Sequence, residues 1–154
     1  MIKKYLQFIK ENKDEMSSIN PIIDYTLLEE TATEDEIRVL CRKAIVLKVK
    51  SVCVLPNMVK TAAEALKDSS VLVCTVVSFP DGFGSVTEKE TEIKRVIQDG
   101  ADEIDMVLNY HLLTQTDNYS GSPRTYDLKN FLQDDHLTEE VTRLVNTCKL
   151  HSNK

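Results

Sequence analysis

Two carboxylates stand inside runs that otherwise read as buried strands: Asp24 in Ile22-Ile23-Asp24-Tyr25-Thr26, and Asp105 within 102–108. Side chains alternate across a strand, so Asp24 and Thr26 share the face opposite Ile23 and Tyr25. Asp105 likewise falls opposite Ile104 and Met106. A strand-borne carboxylate is costly unless paired or put to use. On one reading both point into the same interior and mark a polar active site. On the other they are structural aspartates, each satisfied by backbone amides or a nearby cation. Asp102, following Gly100-Ala101, reads as a solvated turn residue.

Other chemistry is more weakly patterned. Cys53 and Cys74 sit in Val52-Cys53-Val54 and Val73-Cys74-Thr75, the setting of small buried hydrophobes. With Cys41 and Cys148 they form no CxxC pair and have no histidine at ligand spacing, so neither zinc nor a disulfide framework is expected. His111, His136 and His151 lie outside the strands, which leaves a Cys–His nucleophile with little support. Gly82-Phe83-Gly84-Ser85-Val86-Thr87 departs from GxGxxG at its last position and follows a third strand. It reads as the turn that carries the chain from strand to helix. Asn118-Tyr119-Ser120 matches a glycosylation pattern by chance.

The elements that must position these residues alternate. Strands are expected at 22–26, 51–55, 71–78 and 102–108, the third almost continuously apolar as when both faces are covered. A helix opens on the capping box Thr33-Glu34-Asp35-Glu36 and buries Ile37, Leu40, Cys41 and Ala44. A short one uses Met58, Ala62, Ala65 and Leu66. A third runs over 87–98, opened by Thr87-Glu88-Lys89-Glu90 and closed by Gly100 in a left-handed conformation. A last helix over 137–150 presents Leu137, Val141, Leu144, Val145 and Cys148 on one side. An N-terminal helix is expected over 2–16, within an extension over 1–19, and a loop-rich segment over 109–136. This βα alternation implies an α/β fold with a parallel sheet, and sites at the carboxyl ends of its strands.

The chain has 154 residues, 42% hydrophobic and 29% charged, with a formal charge of −6. That fits one domain over 1–154 and an ordered globule. The acidic balance argues against nucleic acid and anionic membranes as partners. No run approaches the roughly 18 apolar residues of a membrane span, and the start lacks a signal-peptide core. A cytoplasmic protein is expected.

Four segments then carry a family resemblance: Ile23-Asp24-Tyr25-Thr26-Leu27-Leu28, Ser51-Val52-Cys53-Val54-Leu55-Pro56, Cys74-Thr75-Val76-Val77-Ser78-Phe79-Pro80-Asp81-Gly82, and Asp99-Gly100-Ala101-Asp102-Glu103-Ile104-Asp105-Met106-Val107. In this order they resemble the first four strands of deoxyribose-phosphate aldolase, with Tyr25 where many bacterial members carry histidine. The resemblance implies a partial (β/α)8 barrel. It also implies class I Schiff-base cleavage of 2-deoxyribose 5-phosphate to glyceraldehyde 3-phosphate and acetaldehyde, without cofactor or metal. By resemblance Asp105 is the proton-relay carboxylate, and Asp24 and Cys53 line the active-site wall.

The family's Schiff-base lysine lies on its sixth strand, and its phosphate loops follow strands seven and eight. None of those positions falls in this sequence. The lysines present, Lys89 among them, map to helices, helix ends or the wrong end of a strand. The expectation is a half-barrel, inactive alone, with strands one and four as open edges. It would associate with itself or with a complementing C-terminal half, and take a small sugar phosphate once completed. The competing readings are a non-catalytic half-barrel that serves as an interaction or oligomerisation module, and an independent phosphate-binding domain.

Overall fold

A single 3-10 turn at Asn20–Ile22 carries Pro21 in its first positions and feeds β1 (Asp24–Leu27). This is a computed structural model that describes residues 19–110 and 135–152. The expected N-terminal helix over 2–16 and all of the loop-rich segment between 111 and 134 lie outside the described residues. After β1 come α1 (Glu34–Leu47), β2 (Ser51–Val54), α2 (Val59–Leu66), β3 (Leu72–Val77), α3 (Val86–Gln98), β4 (Glu103–Met106) and α4 (Asp135–His151). The four strands are parallel, in the order β1-β2-β3-β4. The fold is α/β, as the alternation of elements implies. Two compact units divide the chain within β3, Met1–Cys74 and Thr75–Lys154.

In the first unit β1 pairs with β2 so that Asp24 faces Ser51 and Thr26 faces Cys53. The Leu72 N–H donates to the Lys50 carbonyl at 2.9 Å, and this register sets Cys53 opposite Cys74. Helix α1 begins where its capping box predicts. The Thr33 hydroxyl accepts from the Glu36 N–H, and the Glu36 carboxylate accepts the Thr33 N–H at 2.8 Å. Ile37, Leu40, Cys41 and Ala44 are its buried face. They pack with Val52 and Val54 of β2 and Val59, Ala62 and Leu66 of α2 in the unit's core. On α2 it is Val59 that is buried, while Met58 and Ala65 are only half-buried, because Met58 ends the 3-10 turn that Pro56 starts.

The second unit departs from expectation at three points. Helix α3 is capped by Ser85, two residues before the expected box. Ser85 is extended (φ −70°, ψ 157°), its hydroxyl accepts the Glu88 N–H, and Glu88 accepts the Ser85 N–H at 2.6 Å. Gly84 (φ 109°) makes the turn just before it, so Ser85 is the first residue free to cap. The end of α3 is as expected. Gly100 (φ 108°) donates to the Ile97 carbonyl and Ala101 to that of Val96, the paired bonds of a Schellman motif. Asp102 is half-buried rather than solvated, since β4 starts directly after that motif.

The third departure is the buried face of α4. Leu137, Glu140, Leu144 and Thr147 are buried, whereas Val141 and Val145 are 37% and 43% exposed. The helix is rotated from its most apolar orientation by two ion pairs to α3. Arg143 donates through Nε and Nη2 to Glu90 at 3.1 and 2.9 Å, and the Lys89 ammonium meets Glu140. Arg143 holds the Glu90 carboxyl below its ordinary range.

Candidate active site

In the first unit the carboxyl half of the sheet carries two rows on one face. Asp24 and Ser51 are register partners, and the Ser51 hydroxyl donates to the Asp24 carboxylate. Asp24 thus has a hydrogen-bond partner while remaining exposed, which answers the desolvation cost of a strand carboxylate. Thr26 turns its hydroxyl onto the Asp24 carbonyl at 3.1 Å. Next along the strands Thr26 faces Cys53, and Cys53 faces Cys74, their sulfurs lying within 4.8 Å of each other. Both thiols are buried, as the flanking valines predict. Within this unit they supply two sulfur donors, half of the four that a structural zinc takes.

In the second unit Asp105 is exposed on β4, between half-buried Ile104 and Met106. Glu103 and Val107, on the same face as Asp105, are half-buried as well, so exposure on this strand is confined to Asp105. The loop from Ser78 to Gly84 closes against the end of this strand. Ser78 is left-handed (φ 57°), its N–H donates to Glu92 at 3.0 Å, and its hydroxyl donates to the Phe83 carbonyl. Gly82 is positive in φ, and a Cβ there would come within 2.0 Å of the Leu108 carbonyl oxygen. The glycine loop is thus shaped by close approach to the β4 end.

Sequence reasoning missed Lys89. It lies on α3 as expected, but is 1% exposed, and its ammonium donates to the Val107 carbonyl at 2.9 Å as well as to Glu140. Glu140 is itself 5% exposed. Lys89 stands four residues after the N-cap Ser85, the spacing by which Ile37 follows Thr33 into the core. That spacing was the available signal.

These arrangements meet known proteins in one place. A sequence model described as DeoC/LacD family aldolase matches residues 17–120. The chain belongs to that family. Over 94 residues it is 49% identical to a deoxyribose-phosphate aldolase of Metamycoplasma hominis, covering 61% of this chain and 43% of the relative. Among solved structures, a candidate deoxyribose-phosphate aldolase from Coccidioides immitis superposes with a TM-score of 0.72 at 28% identity. The match covers 97% of this chain and 58% of that one. A tetrameric deoxyribose phosphate aldolase from Aeropyrum pernix superposes at 0.60 with 29% identity, covering 63% and 42%. The chain spans about half the length of the curated aldolases it matches. Its strands and helices are those of a partial aldolase-type barrel. Among the described residues, no helix is long and apolar enough to cross a membrane.

Proposed function

We propose that these 154 residues form, as one domain, the proton-relay half of a deoxyribose-phosphate aldolase site. Turnover then requires the remaining βα units, whether on the same polypeptide or another. The observation that carries this reading is the family match over 17–120, which contains β1 to β4 and with them Asp24, Cys53 and Asp105. In the reaction an uncharged lysine amine attacks the substrate carbonyl and water leaves to give an iminium. The iminium stabilises the carbanion formed when the carbon–carbon bond breaks. In this reading Asp105, an exposed carboxylate on its strand, exchanges protons with that carbon through a water. Asp24, which accepts a hydrogen bond from Ser51, would orient polar neighbours, and Cys53 would border the acetaldehyde end.

No family position for the Schiff-base lysine falls within this sequence, and the most deeply placed lysine, Lys89, is engaged by Glu140 and Val107. An ion-paired ammonium has no lone pair for attack. The 154-residue chain is therefore expected to be inactive alone and to take its sugar phosphate only when completed; its acidic balance and four cysteines without a CxxC pair fit a cytoplasmic location. The test is to treat the purified chain with deoxyribose 5-phosphate and borohydride, then weigh it intact. No mass increase is expected from the folded chain alone, and an increase once a C-terminal half of a relative is added, on that added half. A substrate adduct on this chain would overturn the assignment of the nucleophile to the missing half. No adduct on either part of a folded assembly would favour a non-catalytic interaction module.

A further inference from the structure

Lys89 is the largest fully buried side chain among the described residues. Pairing with Glu140 would by itself meet the charge, yet the ammonium also holds the Val107 carbonyl. That carbonyl lies two residues beyond Asp105. The Val107 N–H is bound to the Val77 carbonyl at 3.0 Å, and the backbone of Gly82 abuts the next peptide at Leu108. The peptides that follow Asp105 are thus held by β3, by the β3–α3 loop and by a side chain from α3. The last of these is braced in turn from α4, through Glu140. Lys, with a long stem and a single compact charge, can run along an apolar helix interface and deliver a donor at its far end.

We propose that Lys89, braced by Glu140, is a positioning residue for Asp105: it clamps the carboxyl end of β4 and so sets where the carboxylate stands. This rests on the reading of Asp105 as the proton relay. The alternative is that the ion pair only fastens α4 to α3. Replacing a buried ion pair with well-packed apolar residues is often neutral for stability. Lys89→Met combined with Glu140→Leu keeps such fastening, removes one charge of each sign, and deprives Val107 of its donor.

The experiment compares this double variant with the parent chain by thermal denaturation, by the carboxyl-carbon NMR resonance of Asp105 and by amide exchange at Val107. The expected result is a folded chain of similar stability, a displaced Asp105 resonance, and Val107 exchange faster by on the order of tenfold or more through local opening. A stable double variant with an unmoved Asp105 resonance and Val107 exchange unchanged would overturn the clamp. Should the double variant not fold, Glu140→Gln, which leaves Lys89 a hydrogen-bond acceptor, decides. An Asp105 resonance displaced in that variant supports the clamp, and one that stays in place while stability falls refutes it. These readouts need no turnover. Failure of the borohydride test would therefore count against the aldolase reading, and failure here against the clamp.

Discussion

Helix α1 opens on Thr33 and helix α3 on Ser85, each with a complete capping box, and each ends with a residue in left-handed conformation, Lys48 and Gly100. Four residues after the cap, α1 buries Ile37 and α3 buries Lys89, both essentially without exposure. The ends of the two helices follow the same local chemistry, while their cores do not. What differs is the opposing surface. Ile37 shares its unit's core with aliphatic residues of β2 and α2, whereas Lys89 meets a carboxylate on α4 and a carbonyl at the end of β4. A buried helix position thus carries whatever its partner can satisfy, and amphipathic spacing alone does not say whether that is a methyl group or an ammonium.

The sharpest way to break this comparison is to remove the partner. Glu140→Leu leaves the Lys89 charge buried and unpaired, and a loss of about 3–5 kcal/mol is expected in denaturant unfolding. Adding Lys89→Ile, which gives α3 the residue α1 uses, should restore most of it. A single variant that costs under about 1 kcal/mol would mean that the pair is not sealed from water.

A smaller effect separates the two C-termini. Lys48 adopts φ 54° where Gly100 adopts φ 108°. A side chain in the left-handed region costs roughly 1 kcal/mol, so Lys48→Gly should stabilise the chain by about that amount and Gly100→Ala should destabilise it. Opposite signs in thermal unfolding are the expected outcome, and equal signs would remove the equivalence of the two ends.

The smallest effect should treat both helices alike. Hydrogen bonds from the Thr33 backbone and hydroxyl lower the Glu36 carboxyl, and those from Ser85 lower Glu88. A lowered carboxylate contributes stability above its unfolded value, here about 4.5, and loses it as pH falls through the lower folded value. Helicity followed by circular dichroism should therefore decline below about pH 4.5. The decline should be reduced in Glu36→Gln and Glu88→Gln, which cap without titrating. A loss confined to one of the two variants would show that the caps are not equivalent.

Much of this architecture is legible in the residues. The Thr33 capping box and the turn at Gly100 depend on contacts within a few residues along the chain, and the four strands and the buried set Ile37, Leu40, Cys41 and Ala44 show as short-range patterns of residue type although distant partners complete them. Such local patterns are encoded by spacing. Alternation along β1 likewise puts Asp24 and Thr26 on the face opposite Tyr25, but that Asp24 and Asp105 are exposed was not legible. The displacement of the second cap to Ser85 was less accessible, because Thr87-Glu88-Lys89-Glu90 offers an equally good box. The choice between them was made by where Gly84 turns the chain.

By itself, then, the sequence determined the α/β alternation, the Thr33 cap of α1 and the Gly100 end of α3, since each follows from short-range patterning, backbone sterics and hydrogen bonding. Only the tertiary structure decided that Ser51 would serve Asp24 across 27 residues, and that Lys89 would find Glu140 across 51. It also turned α4 so that Glu140 is buried and Val141 is not. A charge can be buried only where distant elements bring its counter-charge within hydrogen-bonding distance, and that meeting is a property of packing rather than of any local run of residues.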